Sequence, residues 1–171
     1  IWNFHNTVWR FKNLKKAVEE DKMGRAKEVK AEIDFAFARE ADTHVLVDML
    51  AAGELPLKVT HNDTKLNNVM IDDETGEGIC VIDLDTVMPG LSIYDFGDSI
   101  RFGASTAAED EKDLSKVNMD ISLYEIYQRG FMETAGDAMT PNEIKMMPMG
   151  AKLMTYECGI RFLADYLEGD T

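Results

Sequence analysis

"VTHNDTKLNNVMID", residues 59–72, sets His61, Asp63 and Asn68 in the spacing His-x-Asp-x-x-x-x-Asn between two short apolar runs. Upstream, Gly53 and Pro56 stop a helical pattern, and Leu57 to Asn62 reads as a short strand entering the polar loop. Downstream, Val69-Met70-Ile71 and Ile79-Cys80-Val81-Ile82 read as two strands separated by Asp72-Asp73-Glu74-Thr75-Gly76-Glu77-Gly78, whose Asp and Gly content is turn chemistry. A polar loop followed at once by a β hairpin, in a chain otherwise patterned for helices, predicts an α+β, mostly helical fold.

The helical patterns lie on both sides. Val8, Phe11, Leu14 and Val18 recur at helix spacing, as do Val29, Ile33 and Phe37 beyond a break at Met23-Gly24, and Thr43 to Ala52 forms a third, shorter segment. Pro89-Gly90 punctuates the exit from the hairpin. Beyond it, helices are predicted at Ile93 to Phe102, Met119 to Thr134 and from Pro141 onward, with an acidic, small-residue loop from Ala104 to Asp113. Thr140, Pro141 and Glu143 are a capping box with proline at the first helical position, and Pro148 and Gly150 are expected to kink or divide that last helix.

Length and charge narrow the function classes. A chain of 171 residues, 45% hydrophobic, is one ordinary domain. A formal net charge of −14 leaves no excess of Lys and Arg for phosphates along a duplex or for an anionic membrane, so no nucleic-acid partner and no membrane partner are expected. With neither a spanning segment nor a secretory leader visible, the expected location is cytoplasmic. Cys80 and Cys158 lack metal-ligand spacing and read as buried thiols. Ile1 is not a start residue and Thr171 closes without punctuation, so a fragment of a longer protein is expected.

The spacing from His61 to Asn68 is that of the catalytic loop of phosphotransferases. Phosphoryl transfer to an alcohol needs a carboxylate to orient the hydroxyl and accept its proton, and hard oxygen ligands for the magnesium that bridges the phosphates. Asp63 suits the first role and Asn68 the second. The hairpin returns through Ile82 to Asp83, which a near-symmetric register sets beside Asn68 as the second magnesium ligand. His61 is expected to orient the loop. Lys65 either stabilises the transferring phosphate or points into solvent, and Asp85 either reaches a second magnesium or accepts local backbone hydrogen bonds.

"YDFGDS", residues 94–99, carries the three letters that mark a metal-binding aspartate in protein kinases. Asp95 comes twelve residues after Asp83 and beyond Pro89-Gly90, so it cannot belong to the hairpin. Its expected place is the start of the next helix, capping backbone or bracing the catalytic loop. The acidic turn at 72–78 is not a calcium loop: Glu77 stands where an EF-hand opening at Asp72 requires glycine, and Asp83 where it requires Glu.

"HNDTKLNNVMID" together with "CVIDLDTVMPGLSIYDFGDSIRFG" resembles the aminoglycoside phosphotransferase and choline kinase superfamily, most closely its N-acetylhexosamine 1-kinase-like branch. The similarity extends through "MTYECGIRFLADYLEGD", residues 154–170. It implies the C-terminal lobe of a protein-kinase-like fold, acting with ATP and Mg2+ on a small-molecule sugar at its anomeric hydroxyl. It also implies an acceptor site built by C-terminal helices, with Arg161 and Glu157 as candidate sugar contacts. The alternative for Glu157, Arg161 and Asp165, four residues apart, is an exposed ion-pair ladder. No Gly-rich phosphate loop and no Val-Ala-Ile-Lys-like strand occur, so the N-terminal nucleotide-binding lobe is expected to be absent from this chain, and the chain by itself inactive. The competing readings are a kinase of choline, homoserine or an aminoglycoside, and a non-catalytic sugar-binding or structural lobe.

Overall fold

Asn6 starts the first helix by accepting the Trp9 amide at 3.0 Å on its side chain. The computed structural model describes residues 3–108 and 111–169. Ile1, Trp2, Glu109, Asp110, Asp170 and Thr171 lie outside the described residues, and with them part of the predicted 104–113 loop and of the 154–170 stretch. The chain packs as two compact units, 1–55 with 152–171 and 56–151. The described elements are mostly helices, accompanied by two small antiparallel ribbons. Among the described residues no helix is long and apolar enough to cross a membrane.

The first unit contains helices α1 (Thr7–Glu20), α2 (Lys30–Phe37) and α3 (Val45–Ala51), plus the last part of α6 (Pro141–Glu168). Its core joins Phe11, Leu14 and Ala17 of α1, Ile33 and Ala36 of α2, and Ile160, Ala164 and Leu167 of α6. The break expected at Met23-Gly24 begins slightly earlier. Asp21 turns left-handed at the end of α1, donates its N–H to Ala17 O and receives Gly24 N on its own carbonyl. Tyr156 ties α6 to α2 by donating its hydroxyl to Ala36 O at 2.9 Å. Burial first, then the Asp42 and Glu40 carboxylates, push the Tyr156 phenol up to about 12, so it remains a donor at any ordinary pH.

In the second unit, β1 (Lys58–Thr60) pairs with β4 (Met88–Gly90), and β2 (Val69–Ile71) pairs with β3 (Gly78–Val81). Pro89-Gly90 is therefore a strand and not merely punctuation. Pro89 opposite Val59 is tolerated because a two-stranded ribbon has outer edges with no partner to serve. The hairpin turn is closed by Asp72, whose Oδ1 accepts from Glu74 N, Thr75 N and the Thr75 hydroxyl, and Gly76 supplies the left-handed residue. Those same bonds hold the Asp72 carboxyl below its ordinary range.

Every residue of β3 is exposed, which corrects the expectation of a buried Cys80: the thiol is on the surface. A two-stranded ribbon has no second layer to cover it, so an apolar run is not enough to predict burial.

Helix α4 (Ser92–Gly103) is the spine of this unit, with Ile93, Phe96 and Ile100 buried. The Phe96 ring meets Tyr124, Tyr127 and Phe131 of α5 (Ile121–Ala135) at centroid distances of 5.8, 6.0 and 5.3 Å. On another side α4 meets α6 backbone to backbone: a Cβ on Gly97 would lie 2.4 Å from Gly150 O. Gly150 thus marks a close helix crossing, and α6 is not divided at it. Helix α6 continues through Pro148, which is exposed.

Candidate active site

The 60–68 loop leaves β1 through a left-handed turn at Asn62 (φ 66°) and lies against α4. Asp95, in the first turn of α4, accepts the backbone N–H of His61 on Oδ2 at 2.9 Å and that of Asn62 on Oδ1 at 2.7 Å. A carboxylate there is also favoured by the helix N-terminus. Thr64 donates its hydroxyl to Asp95 O at 2.6 Å, and Ser99, one turn on, donates to Thr64 O at 3.0 Å. Burial pushes the Tyr127 phenol up, a hydrogen bond with Ser99 opposes this, and the Asp95 and Asp98 carboxylates add to it. Together Asp95 and Ser99 anchor the backbone on both sides of Asp63.

Within the loop, Asn68 donates Nδ2 to Asp63 O at 2.8 Å and to Asp63 Oδ2 at 2.9 Å, and Lys65 Nζ lies 3.2 Å from the same Oδ2. Two of the three residues named by the sequence spacing, Asp63 and Asn68, are therefore in direct contact, and the interior Lys65 meets Asp63. His61 faces two ways. Its Nε2 lies 2.9 Å from Ile82 O, and its Nδ1 lies 3.3 Å from Asp63 N. A carbonyl partner requires N–H at Nε2 and an amide partner requires a lone pair at Nδ1, which selects one neutral tautomer.

Ile82 belongs to the returning arm of the hairpin. The register pairs Val69 with Val81, and Ile82 donates its N–H to Asn68 O at 2.9 Å, so Asp83 is one residue past the position opposite Asn68. Asp83 is exposed and left-handed (φ 61°), an uncommon state for a residue with a Cβ. Asp85 follows in a short 3-10 turn, Leu84–Thr86, and is also exposed. Among the described residues, no three His, Cys, Asp or Glu side chains gather as a metal cage.

The remaining candidates lie in the first unit. Glu157 is 2% exposed and is not part of an exposed ladder: its Oε1 is 2.8 Å from His5 Nδ1 and its Oε2 accepts from Thr7 Oγ1 at 2.9 Å. Arg161 is exposed.

Sequence reasoning passed over Asn62, Thr86 and Ser99. Asn62 carried a usable signal, because Asn is enriched at positive φ and the sharp turn before Asp63 needs such a residue. Ser99 and Thr86 carried none, since their partners are distant in sequence. The model of the phosphotransferase enzyme family (APH) matches residues 3–124, well over half of the chain and including this whole loop, the hairpin and α4.

Proposed function

The chain belongs to the phosphotransferase enzyme family, in the aminoglycoside phosphotransferase and choline kinase superfamily, and we propose that it is the acceptor-binding and catalytic-loop lobe of a sugar kinase. The observation that carries this reading is the contact of Asp63 with Asn68 and Lys65 on a loop anchored by Asp95. Among the described residues the partners of the Asp63 side chain, Asn68 and Lys65, sit on Oδ2, so Oδ1 is the oxygen assigned to accept the proton of an acceptor hydroxyl. As that O–H bond breaks, the oxygen forms a bond to the terminal phosphorus of ATP, and the bond from that phosphorus to the bridging oxygen of ADP breaks. Lys65 is assigned to neutralise charge on the transferring group.

The donor set fits a magnesium ion held mainly by nucleotide phosphates and water. Asn68 commits its amide nitrogen to Asp63, leaving the amide oxygen as a hard ligand, and the exposed Asp83 carboxylate follows Ile82, which is bonded to Asn68. When bound, that ion would neutralise phosphate charge. His61 and Asp95 serve as orienting and bracing groups.

The nucleotide would be held by a separate lobe outside this chain. This is supported by the absence of a Gly-rich phosphate loop and by the open apolar surface of both ribbons, where Val59 is 81% exposed and Ile79 61%. The acceptor proposed is the anomeric hydroxyl of an N-acetylhexosamine, with Arg161 as a sugar contact. It rests on the resemblance of residues 61–72, 80–103 and 154–170. Glu157, engaged as it is, would act by holding its helix rather than by touching sugar.

Phosphorus NMR of MgATP with N-acetylglucosamine or N-acetylgalactosamine tests the reading, using this chain and the product of the complete reading frame in parallel. Anomeric phosphate from the longer protein alone is expected, and it should vanish in Asp63→Asn. Product from this chain would remove the need for a separate lobe. Activity on choline, homoserine or an aminoglycoside in place of the sugars would move the acceptor to another alcohol, and no transfer to any of them would leave a binding or structural lobe.

A further inference from the structure

The proposed base and the proposed metal ligand come from two different pieces of chain, Asp63 from the loop after β1 and Asp83 from the loop after β3. In phosphoryl transfer their spacing matters as much as their identity, because the reacting groups must be held near the attack geometry. Each loop is left-handed at a residue with a Cβ, Asn62 in one and Asp83 in the other, and such conformations persist only where the surroundings over-determine them.

The Asn62 side chain supplies that constraint. It is 4% exposed. Its Oδ1 accepts from Thr60 Oγ1 at 2.9 Å, and its Nδ2 donates to Thr60 O at 3.2 Å and to Thr86 O at 2.9 Å. Thr86 returns the bond, donating its hydroxyl to His61 O at 2.7 Å. The two loops are thus laced by a reciprocal pair, amide to carbonyl one way and hydroxyl to carbonyl the other. With His61 Nε2 on Ile82 O, the bonds bracket Asp83 on one strand and end immediately before Asp63 on the other. Gly90 leaves the room for this: a Cβ there would lie 2.3 Å from Thr60 Oγ1 and 3.0 Å from Asn62 Oδ1. A glycine at 62 would take the same backbone turn at no steric cost but would tie nothing to Thr86.

We propose that Asn62 and Thr86 are positioning residues that clamp the Asp63 loop to the turn after Asp83 and so set the spacing of the two carboxylates. Neither touches the reacting atoms. The inference rests on the phosphoryl-transfer reading of this site.

Three variants of the full-length protein test it. Asn62→Gly keeps the turn and deletes the amide, Thr86→Val keeps the shape and deletes the hydroxyl, and Thr86→Ser keeps the hydroxyl. Asn62→Gly and Thr86→Val should each lower kcat by roughly 10- to 100-fold, the scale of a misplacement of about 1 Å, with the acceptor KM within about 2-fold of wild type. Thr86→Ser should restore kcat to within about 3-fold. Independently of turnover, amide hydrogen exchange at residues 61–63 should accelerate in Thr86→Val, across the clamp from the substitution, and return in Thr86→Ser. Unchanged exchange at 61–63, or a Thr86→Ser variant as impaired as Thr86→Val, would overturn the clamp. Should Asp63→Asn and Asp83→Asn both keep full turnover, the phosphoryl-transfer reading fails instead, and the exchange result still decides whether the clamp exists.

Discussion

Asp95 holds Asn62 by its backbone: Oδ1 of the α4 carboxylate receives the Asn62 N–H at 2.7 Å, while Oδ2 receives that of His61 at 2.9 Å. Two consecutive amides of the loop thus depend on one side chain 33 and 34 residues away. Asp95→Asn leaves one acceptor for two donors, and the second amide loses its partner at a cost of about 1–3 kcal/mol. Thermal unfolding should register that loss, and turnover should fall further than stability because Asp63 is the next residue. A variant unchanged in both would remove Asp95 from the support of this loop.

Gly97 and Gly130 should respond oppositely to alanine. At Gly97 a Cβ would meet Gly150 O at 2.4 Å and Ala151 N at 2.9 Å, backbone atoms that cannot move without parting α4 from α6. Gly97→Ala should therefore destabilise by about 1–3 kcal/mol or more. At Gly130, inside α5, nothing lies within 4 Å, so Gly130→Ala should stabilise by up to about 1 kcal/mol through helix propensity. Denaturant midpoints measure both, and equal shifts for the two would contradict the close crossing.

Glu143 is 1% exposed and gathers Lys58 Nζ at 2.8 Å, Ser92 Oγ at 2.6 Å and Thr140 N at 2.7 Å, joining β1, α4 and the start of α6. Burial raises its carboxyl, but the bonds from Lys58, Ser92 and Thr140 outweigh that and hold it below its ordinary value of 4.5. Its contribution is then fully present above about pH 5 and lost as pH falls through the lowered folded value. Glu143→Gln should cost about 2–4 kcal/mol at pH 7. The gap to wild type should close on acidification in a pH series of melting temperatures; a gap constant down to pH 3 would contradict the assigned ionisation.

Glu157 and Arg161 separate a structural role from a binding one. Glu157→Ala strips His5 and Thr7 of a buried acceptor and should destabilise by about 2–4 kcal/mol, whatever the substrate. Arg161→Ala, at an exposed position, should stay within about 0.5 kcal/mol of wild type in stability. If Arg161 contacts the sugar, the acceptor KM rises in that variant while its melting temperature holds; an unchanged KM would remove Arg161 from the acceptor site.

Much of the fold and part of the candidate site are legible in the sequence. The capping box at Thr140 and Glu143, the hairpin turn at 72–78 and the placing of Asp95 at the start of a helix all follow from local chemistry, and each is present in the structure. The misreadings share one cause. Cys80 and Pro89 are read from their neighbours in sequence, whereas their environments, like that of Gly150, are set by what packs, or fails to pack, against them. Pro89 pairs across to Val59, Gly150 meets Ile93 and Gly97, and Cys80 meets no covering layer.

The sequence by itself determined which chemistry-bearing residues lie on adjoining segments, because a His-x-Asp-x-x-x-x-Asn spacing followed by a hairpin puts Asp63 and Asn68 in one loop and Asp83 just past the returning strand. Spacing along a chain dictates which atoms a short loop can bring together. Tertiary structure alone decided how they are held: the Asp95 carboxylate under His61 and Asn62, the Ser99 hydroxyl under Thr64, and the bonds between Asn62, Thr86 and His61 join positions 24 to 35 residues apart. Such contacts leave no periodicity or motif, since any Ser, Thr, Asn or Asp can make them and only the packing of α4 and the ribbons selects which ones do.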